Sequence, residues 1–256
     1  MRKVVLVTGA SSGVGLSLAK YLSGRYEVVA VARRIDKMKD ELRDHSKVTI
    51  RQADLSRTEE VLDLVAWLTS EFEHVPYVIS NAGVNIRGGI DTLGLDQVNH
   101  CMSLNALAPF MILNGLLPAM KANNFGRVIN VTSGAPLNCF PEFAAYSASK
   151  GALNAITVTC AKECADLNIR INLMSPGPVR TEMAPNATMD PSACHPTVDY
   201  LLDLDEHGPT GRMFWLGYEI PLFPDLGGIN WLEGKADSRF RQVIGSDLVR
   251  NQEISV

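Results

Sequence analysis

The chain lacks most of what would mark a nucleic-acid, metal or membrane protein. Its 256 residues carry 24 Lys and Arg against 28 Asp and Glu, a net charge of −4. There is no basic surplus to neutralise a phosphate backbone, which argues against a nucleic-acid partner. Aromatic residues are only 7%, too few for an aromatic-lined binder. The cysteines are Cys101, Cys139, Cys160, Cys164 and Cys194. None forms a CxxC pair, and Cys160 and Cys164, one helical turn apart, have no nearby histidine to complete a metal site. His45, His74, His100, His195 and His207 are scattered. No metal is therefore expected, and five unpatterned cysteines, an odd count, fit a reducing compartment. Long apolar runs are missing too. Val4–Val7 gives way at once to a Gly-rich segment, too short for a signal peptide. No stretch approaches the roughly 20 apolar residues of a membrane span. A cytoplasmic protein with no membrane partner is the expectation.

What is present is an alternation. Apolar residues are 46% and charged residues 20%, near globular averages. Short β-branched runs recur at Val4–Val7, Val28–Val31, Val48–Ile50, Tyr77–Ile79, Arg127–Val131 and Ile169–Met174. Helically spaced segments lie between them: Gly13–Ser23, Ile35–Asp44, Thr58–Glu71, Leu95–Ala122 and Ser147–Ala165. Apolar strands separated by amphipathic helices imply a parallel sheet covered on both faces, the doubly wound α/β arrangement that binds nucleotides. From Pro176 onward five prolines, Pro176 included, fall within about twenty residues, the texture of a functional loop. A short helix is expected near 197–204 and a strand-like run over Arg212–Tyr218. The length suits one domain spanning 1–256, with a substrate lid at about 183–210 and an atypical C-terminal extension at about 216–256.

The first strand runs into Thr8-Gly9-Ala10-Ser11-Ser12-Gly13-Val14-Gly15. Glycines are needed there for the tight strand-to-helix turn, for backbone approach to a pyrophosphate, and for close helix–strand packing. The helix that opens on this turn aims its free N–H groups and positive dipole end at the phosphate. A dinucleotide fold selects its cofactor at the end of the second strand, which here reads Ala32-Arg33-Arg34 with no carboxylate before Asp36. An acid there would bind the ribose 2′-hydroxyl of NAD; two guanidiniums predict NADP(H), because Arg pairs bidentately with phosphate. Arg33 is the expected first contact, with Arg34 stacking on adenine. Farther on, Tyr146 and Lys150 stand at i and i+4, on one face of a helix. A phenol titrates near 10, and a nearby ammonium lowers that value towards working pH.

The spacing Thr-Gly-x-x-x-Gly-x-Gly resembles the short-chain dehydrogenase/reductase family, and the rest of the chain to about residue 185 is similar to it as well. The resemblance implies a single Rossmann-like domain. It assigns Asp54 and Leu55 to the adenine ring, and Asn81, Ala82 and Gly83, in Ser80-Asn81-Ala82-Gly83, to the cofactor, although relatives carry Asn where Ser80 stands. It places Asn105, Ser133, Tyr146 and Lys150 as the catalytic group. Thr132 is a rival hydroxyl, but the register, thirteen residues before Tyr146, favours Ser133. Pro176, Gly177, Val179 and Thr181 then contact the nicotinamide. The chemistry implied is hydride transfer between NADP(H) and a ketone, aldehyde or alcohol. Tyr146 exchanges the proton, Ser133 polarises the oxygen, Lys150 binds ribose, and Asn105 holds a water linking Lys150 to solvent. Cofactor contacts are thus expected at Gly9, Ser11, Ser12, Gly13, Val14, Gly15, Arg33 and Arg34, besides those just named and Tyr146 and Lys150 themselves. Substrate-facing candidates are Pro136, Leu137, Asn138, Phe140, Phe143 and the lid from Met183 to His207; His195 is expected to be a loop residue rather than a ligand. Keto-sugar or secondary-metabolite reduction and a non-catalytic NADP(H)-binding regulator are the alternatives. Relatives associate through the two long helices, so a homodimer or homotetramer is expected.

Overall fold

The computed structural model describes residues 3–224, 229–230, 235–239 and 241. Packing divides the chain into two compact units, Met1–Ile220 and Pro221–Val256. In the first, six strands arise where apolar runs were read: β1 (Val4–Thr8), β2 (Glu27–Ala32), β3 (Val48–Gln52), β4 (Tyr77–Ser80), β5 (Gly126–Val131) and β6 (Ile169–Ser175). They pair in parallel with β7 (Met213–Trp215) in the order β3-β2-β1-β4-β5-β6-β7, and β8 (Tyr218–Ile220) closes the edge antiparallel to β7. The run expected to be one strand over Arg212–Tyr218 is therefore a hairpin. Leu216 and Gly217 both take positive φ, +47° and +85°, the mirror-image turn that matches strand twist. In the second unit, β9 (Ile229–Asn230) pairs antiparallel with β10 (Lys235–Ala236). Most of the expected C-terminal extension lies outside the described residues.

Side chains alternate faces along a strand, and β1 shows the consequence. Val5 and Val7 enter one core with α1 (Gly13–Leu22) and α2 (Ile35–Leu42); Val4 and Leu6 enter the other with α3 (Thr58–Glu71). Beyond α4 (Leu95–Met102), the second core also takes the apolar faces of α5 (Ala108–Ala122) and, after the short turn α6 (Ala135–Asn138), of α7 (Ala144–Glu163). On the first face, α8 (His195–Leu202) buries Val198, Leu201 and Leu202 after a 3₁₀ turn over Pro191–Cys194.

The helix expected over 95–122 is interrupted by a π segment, Ser103–Leu107. Pro109 has no N–H to give the carbonyl of Asn105, four residues earlier, so the α ladder cannot continue unbroken there. By length and composition this run also passes for a membrane span, contrary to the reading of the sequence. In the fold half of it is buried, with Cys101, Ala106, Ile112 and Met120 in the interior.

Candidate active site

Strand order reverses between β1 and β4, and in open α/β sheets the crevice beyond the strand ends at such a point takes the ligand. A cleft of about 520 Å³ lies there, within the range of small-molecule and cofactor sites. One wall is the turn from β1 to α1. Gly9 and Gly13 have φ of +70° and +53°, conformations that disfavour any side chain. Gly15 does not line the cleft but packs behind it. A Cβ there would come within 2.4 Å of the Gly9 carbonyl oxygen, so helix and strand could not approach as they do. The turn is tied to β4: Thr8 Oγ1 accepts from the backbone N–H groups of Asn81 (2.9 Å) and Ala82 (3.0 Å), and Asn81 Nδ2 donates to the Thr8 carbonyl (2.9 Å). Ser11, Ser12, Val14, Asn81, Ala82 and Gly83 face the cleft with it. These glycines, the opened helix end and the volume fit a dinucleotide.

At the ends of β2 and β3 the cleft is lined by Arg33, Arg34, Asp54 and Leu55. Arg33 is largely exposed and lies 3.6 Å from the Asp54 carboxylate. Burial pushes the Asp54 carboxyl up, but hydrogen bonds from Ser56 and the Arg33 charge outweigh it and hold the group below its ordinary value. Arg34 instead turns over the glycine turn, donating to Ser11 Oγ (3.2 Å) and Ser12 Oγ (2.7 Å). Its other nitrogen meets Glu182 at 2.8 Å, and Lys37 meets the same carboxylate at 2.6 Å. Hydrogen bonds from Lys37 and Arg34 lower the Glu182 carboxyl to about 2.

Glu182 belongs to the loop after β6. The loop is held in place by backbone bonds, Arg180 N to the Met189 carbonyl (2.7 Å) and Ala184 N to that of Thr181 (3.1 Å). Pro176, Gly177, Val179, Thr181 and Met183 line the cleft. Gly177 has φ +86°, and a Cβ on Gly13 would meet the Thr181 methyl at 2.9 Å, so this loop and the glycine turn are in close contact. His195 lies elsewhere: its ring stacks on Tyr21, with centroids 4.2 Å apart, and bonds Ser17 Oγ at 2.9 Å.

Ser133, Tyr146 and Lys150 share the remaining wall. The rival hydroxyl is committed: Thr132 is buried and donates to Asn154 Oδ1 at 2.6 Å. Tyr146 stands in the first turn of α7. Burial pushes its phenol above the ordinary value, and the hydrogen bond with Ser133 only partly offsets this. The lowering expected from Lys150 is therefore not found. Lys150 is fully buried, donates to the Val131 carbonyl at 2.7 Å, and is brought down to about 8 by desolvation. Asn105 sits behind this wall. Its Oδ1 accepts from Val84 N (2.8 Å), and its Nδ2 donates to the Val84 carbonyl and to Ser149 Oγ, each at 2.9 Å. The whole amide is used to pin the loop after β4 against α7. Gly83 must be small here, since a Cβ would lie 3.0 Å from Asn105 Oδ1 and 3.5 Å from Lys150 Nζ.

Of the substrate-facing candidates between Ser133 and Tyr146, only Phe143 lines the cleft, and Pro136, Leu137, Asn138 and Phe140 do not; of the lid expected from Met183 to His207, Met183 and Ala184 line it. Asn85, Arg87, Leu104 and Glu182 line it without having been anticipated. For Asn85 and Arg87 the available signal was position, two and four residues past Gly83. For Glu182 there was none, because its partners lie about 145 residues earlier.

The model of the short chain dehydrogenase family matches residues 3–192. The chain belongs to that family of oxidoreductases. A dehydrogenase/reductase SDR family protein 7-like of Drosophila melanogaster is 30% identical over 207 residues, covering 77% of this chain and 63% of the relative. The match thus spans under two thirds of that relative's length. Among solved structures, a metagenomic short-chain oxidoreductase in complex with NADP is 27% identical (TM-score 0.74; 83% of this chain, 96% of that one). A 4-hydroxyisoleucine dehydrogenase complexed with NADH is also 27% identical (TM-score 0.79; 84% and 97%).

Proposed function

We propose that the chain is an NADP(H)-dependent oxidoreductase that interconverts a ketone or aldehyde with an alcohol, using Tyr146 as general acid and base. The observation that carries the reading is the convergence of Ser133, Tyr146 and Lys150 on one wall of a cleft whose other wall is a glycine cradle. Gly9, Ser11, Ser12, Gly13 and Val14 would hold the pyrophosphate, with Gly15 behind them letting the helix approach, and Arg33 and Arg34 would hold the 2′-phosphate. Asp54 and Leu55 would flank adenine. Asn81, Ala82, Gly83, Pro176, Gly177, Val179 and Thr181 would enclose the nicotinamide half. When bound, NADP(H) supplies or accepts the hydride. A relative with NADP and another with NADH leave the choice to the chain's own residues, and two arginines with no acid at the end of β2 favour the phosphate.

The residues then divide the proton chemistry. Tyr146, raised by burial, keeps its proton at neutral pH and is ready to donate it to a carbonyl oxygen. Ser133 is at hand to hydrogen-bond that oxygen. Lys150, near 8, exchanges protons close to working pH. Asn105 acts by fixing Val84 and Ser149, and on this reading would also hold a water that links Lys150 to solvent. The five free thiols suit a cytoplasmic setting. Exposed apolar side chains on α5, Phe110 among them, would pair with a second copy.

Tyr146→Phe tests the reading. Turnover is expected to fall by roughly 100-fold or more with the Kd for NADPH held within about threefold. Unchanged turnover overturns the role of Tyr146. A kcat/KM preference for NADH over NADPH overturns that of Arg33 and Arg34.

A further inference from the structure

Charge is unevenly spread along the cleft. Its two lining carboxylates, Asp54 and Glu182, both lie at the β2–β3 end and are taken by Arg33 and Arg34. Around Tyr146 no carboxylate lines the cleft among the described residues. The charged groups there are Lys150, buried and bonded to the Val131 carbonyl, and Arg87.

Arg87 is held in a defined place. The loop that carries it is clamped before it by Asn105 on Val84, and after it by Gly88 N donating to the Glu142 carbonyl at 3.0 Å. Its guanidinium lies 4.3 Å over the Phe143 ring, which meets the Tyr146 ring edge-on at 6.3 Å. No carboxylate lies within 4.0 Å of it among the described residues, whereas Arg25, Arg33, Arg34, Arg43, Arg57 and Arg212 each have one. Contact with a ring occupies one face of a guanidinium and leaves its N–H edge open, the edge that takes a carboxylate in two parallel bonds. Asn85 adds a second polar group to the same lining, and its amide oxygen is buried without a hydrogen-bond partner. A buried acceptor of this kind calls for a donor, such as a substrate hydroxyl.

We propose that the Tyr146 end of the cleft takes a substrate with a single negative charge, a keto or hydroxy carboxylate, and that Arg87 binds its carboxylate. This rests on the oxidoreductase reading and adds the class of substrate. One guanidinium without a carboxylate partner among the described residues matches one charge, and among those residues a polyphosphorylated compound would find no further exposed cation lining that end.

The test uses the full chain with NADPH and matched ketones, a short keto acid and its methyl ester. The wild type is expected to favour the acid in kcat/KM by roughly tenfold or more, the scale of one charge-assisted contact, with the difference carried by KM. In Arg87→Met, which keeps an apolar stem over Phe143, the acid-to-ester ratio falls to near one, and Arg87→Lys recovers part of it. Equal kcat/KM for acid and ester in the wild type, or a ratio unchanged in Arg87→Met, overturns the proposal while leaving the oxidoreductase reading in place. Calorimetry with butanoate, a carboxylate that has no carbonyl to reduce, separates the two in the other direction. Binding that weakens about tenfold in Arg87→Met supports the site even if no ketone is turned over. Binding that is absent, or equal in the two proteins, overturns it.

Discussion

Lys150 is where activity and stability pull apart. Burial lowers its ammonium from 10.5 to about 8, while the unfolded chain keeps the ordinary value. Between those two pH values the unfolded state binds more protons, so this group's contribution to stability rises with pH; below about 8 the penalty is fully present. From pH 7 to pH 10 the wild type should therefore gain about 2 kcal/mol relative to Lys150→Met. Chemical denaturation of both proteins at the two pH values measures it, and parallel pH dependences would contradict the assignment. Turnover of Lys150→Met should fall at least as far as that of Tyr146→Phe. Tyr146 was legible in the sequence as Lys150's partner, but the direction of its shift was not. Spacing on a helix brings a phenol and an ammonium together, whereas burial, which here dominates the phenol, depends on what the rest of the chain packs over it.

At the scale of elements, the loop after β6 is tied down by Glu182 gripping Arg34 and Lys37. A carboxylate thereby occupies the arginine that would receive a 2′-phosphate. With its pKa near 2, Glu182 stays charged at every pH where the enzyme works. Glu182→Gln is expected to tighten NADPH binding roughly two- to fivefold, the scale of exposed ion pairs, and to change NADH binding by less than half as much. Fluorescence titration of each cofactor checks this, and an equal change for both would detach Glu182 from phosphate recognition. The π segment is a second feature of this scale. Pro109 gave a local sign of it, yet only the packing of α7 and the loop after β4 turns the break into a use, because Asn105 there bonds Val84 and Ser149 together.

Across the whole molecule, the doubly wound sheet puts α5 on the outer side of one core. Its inner face is buried at Ile112, Leu116 and Met120, while Phe110 is about half exposed. Phe110→Glu should shift a dimer or tetramer towards monomer in light scattering, with the far-ultraviolet circular dichroism unchanged. A wild type that is already monomeric would remove the basis for association through this helix.

The sequence by itself determined the alternating strands and helices, the glycine turn, the placing of Tyr146 and Lys150 on one helix face, and the double arginine after β2. Each of these is local: periodicity, turn chemistry and i,i+4 spacing act within a few residues, where the order of the chain is the order in space. Tertiary structure alone decided which arginine lies over the turn, that Glu182 answers it, that Thr132 is spent on Asn154 and Asn105 on Val84, and that Arg87 lies over Phe143. Those are contacts between segments from 20 to nearly 150 residues apart. No spacing rule records them, because they exist only once the strand ends have been gathered around one crevice.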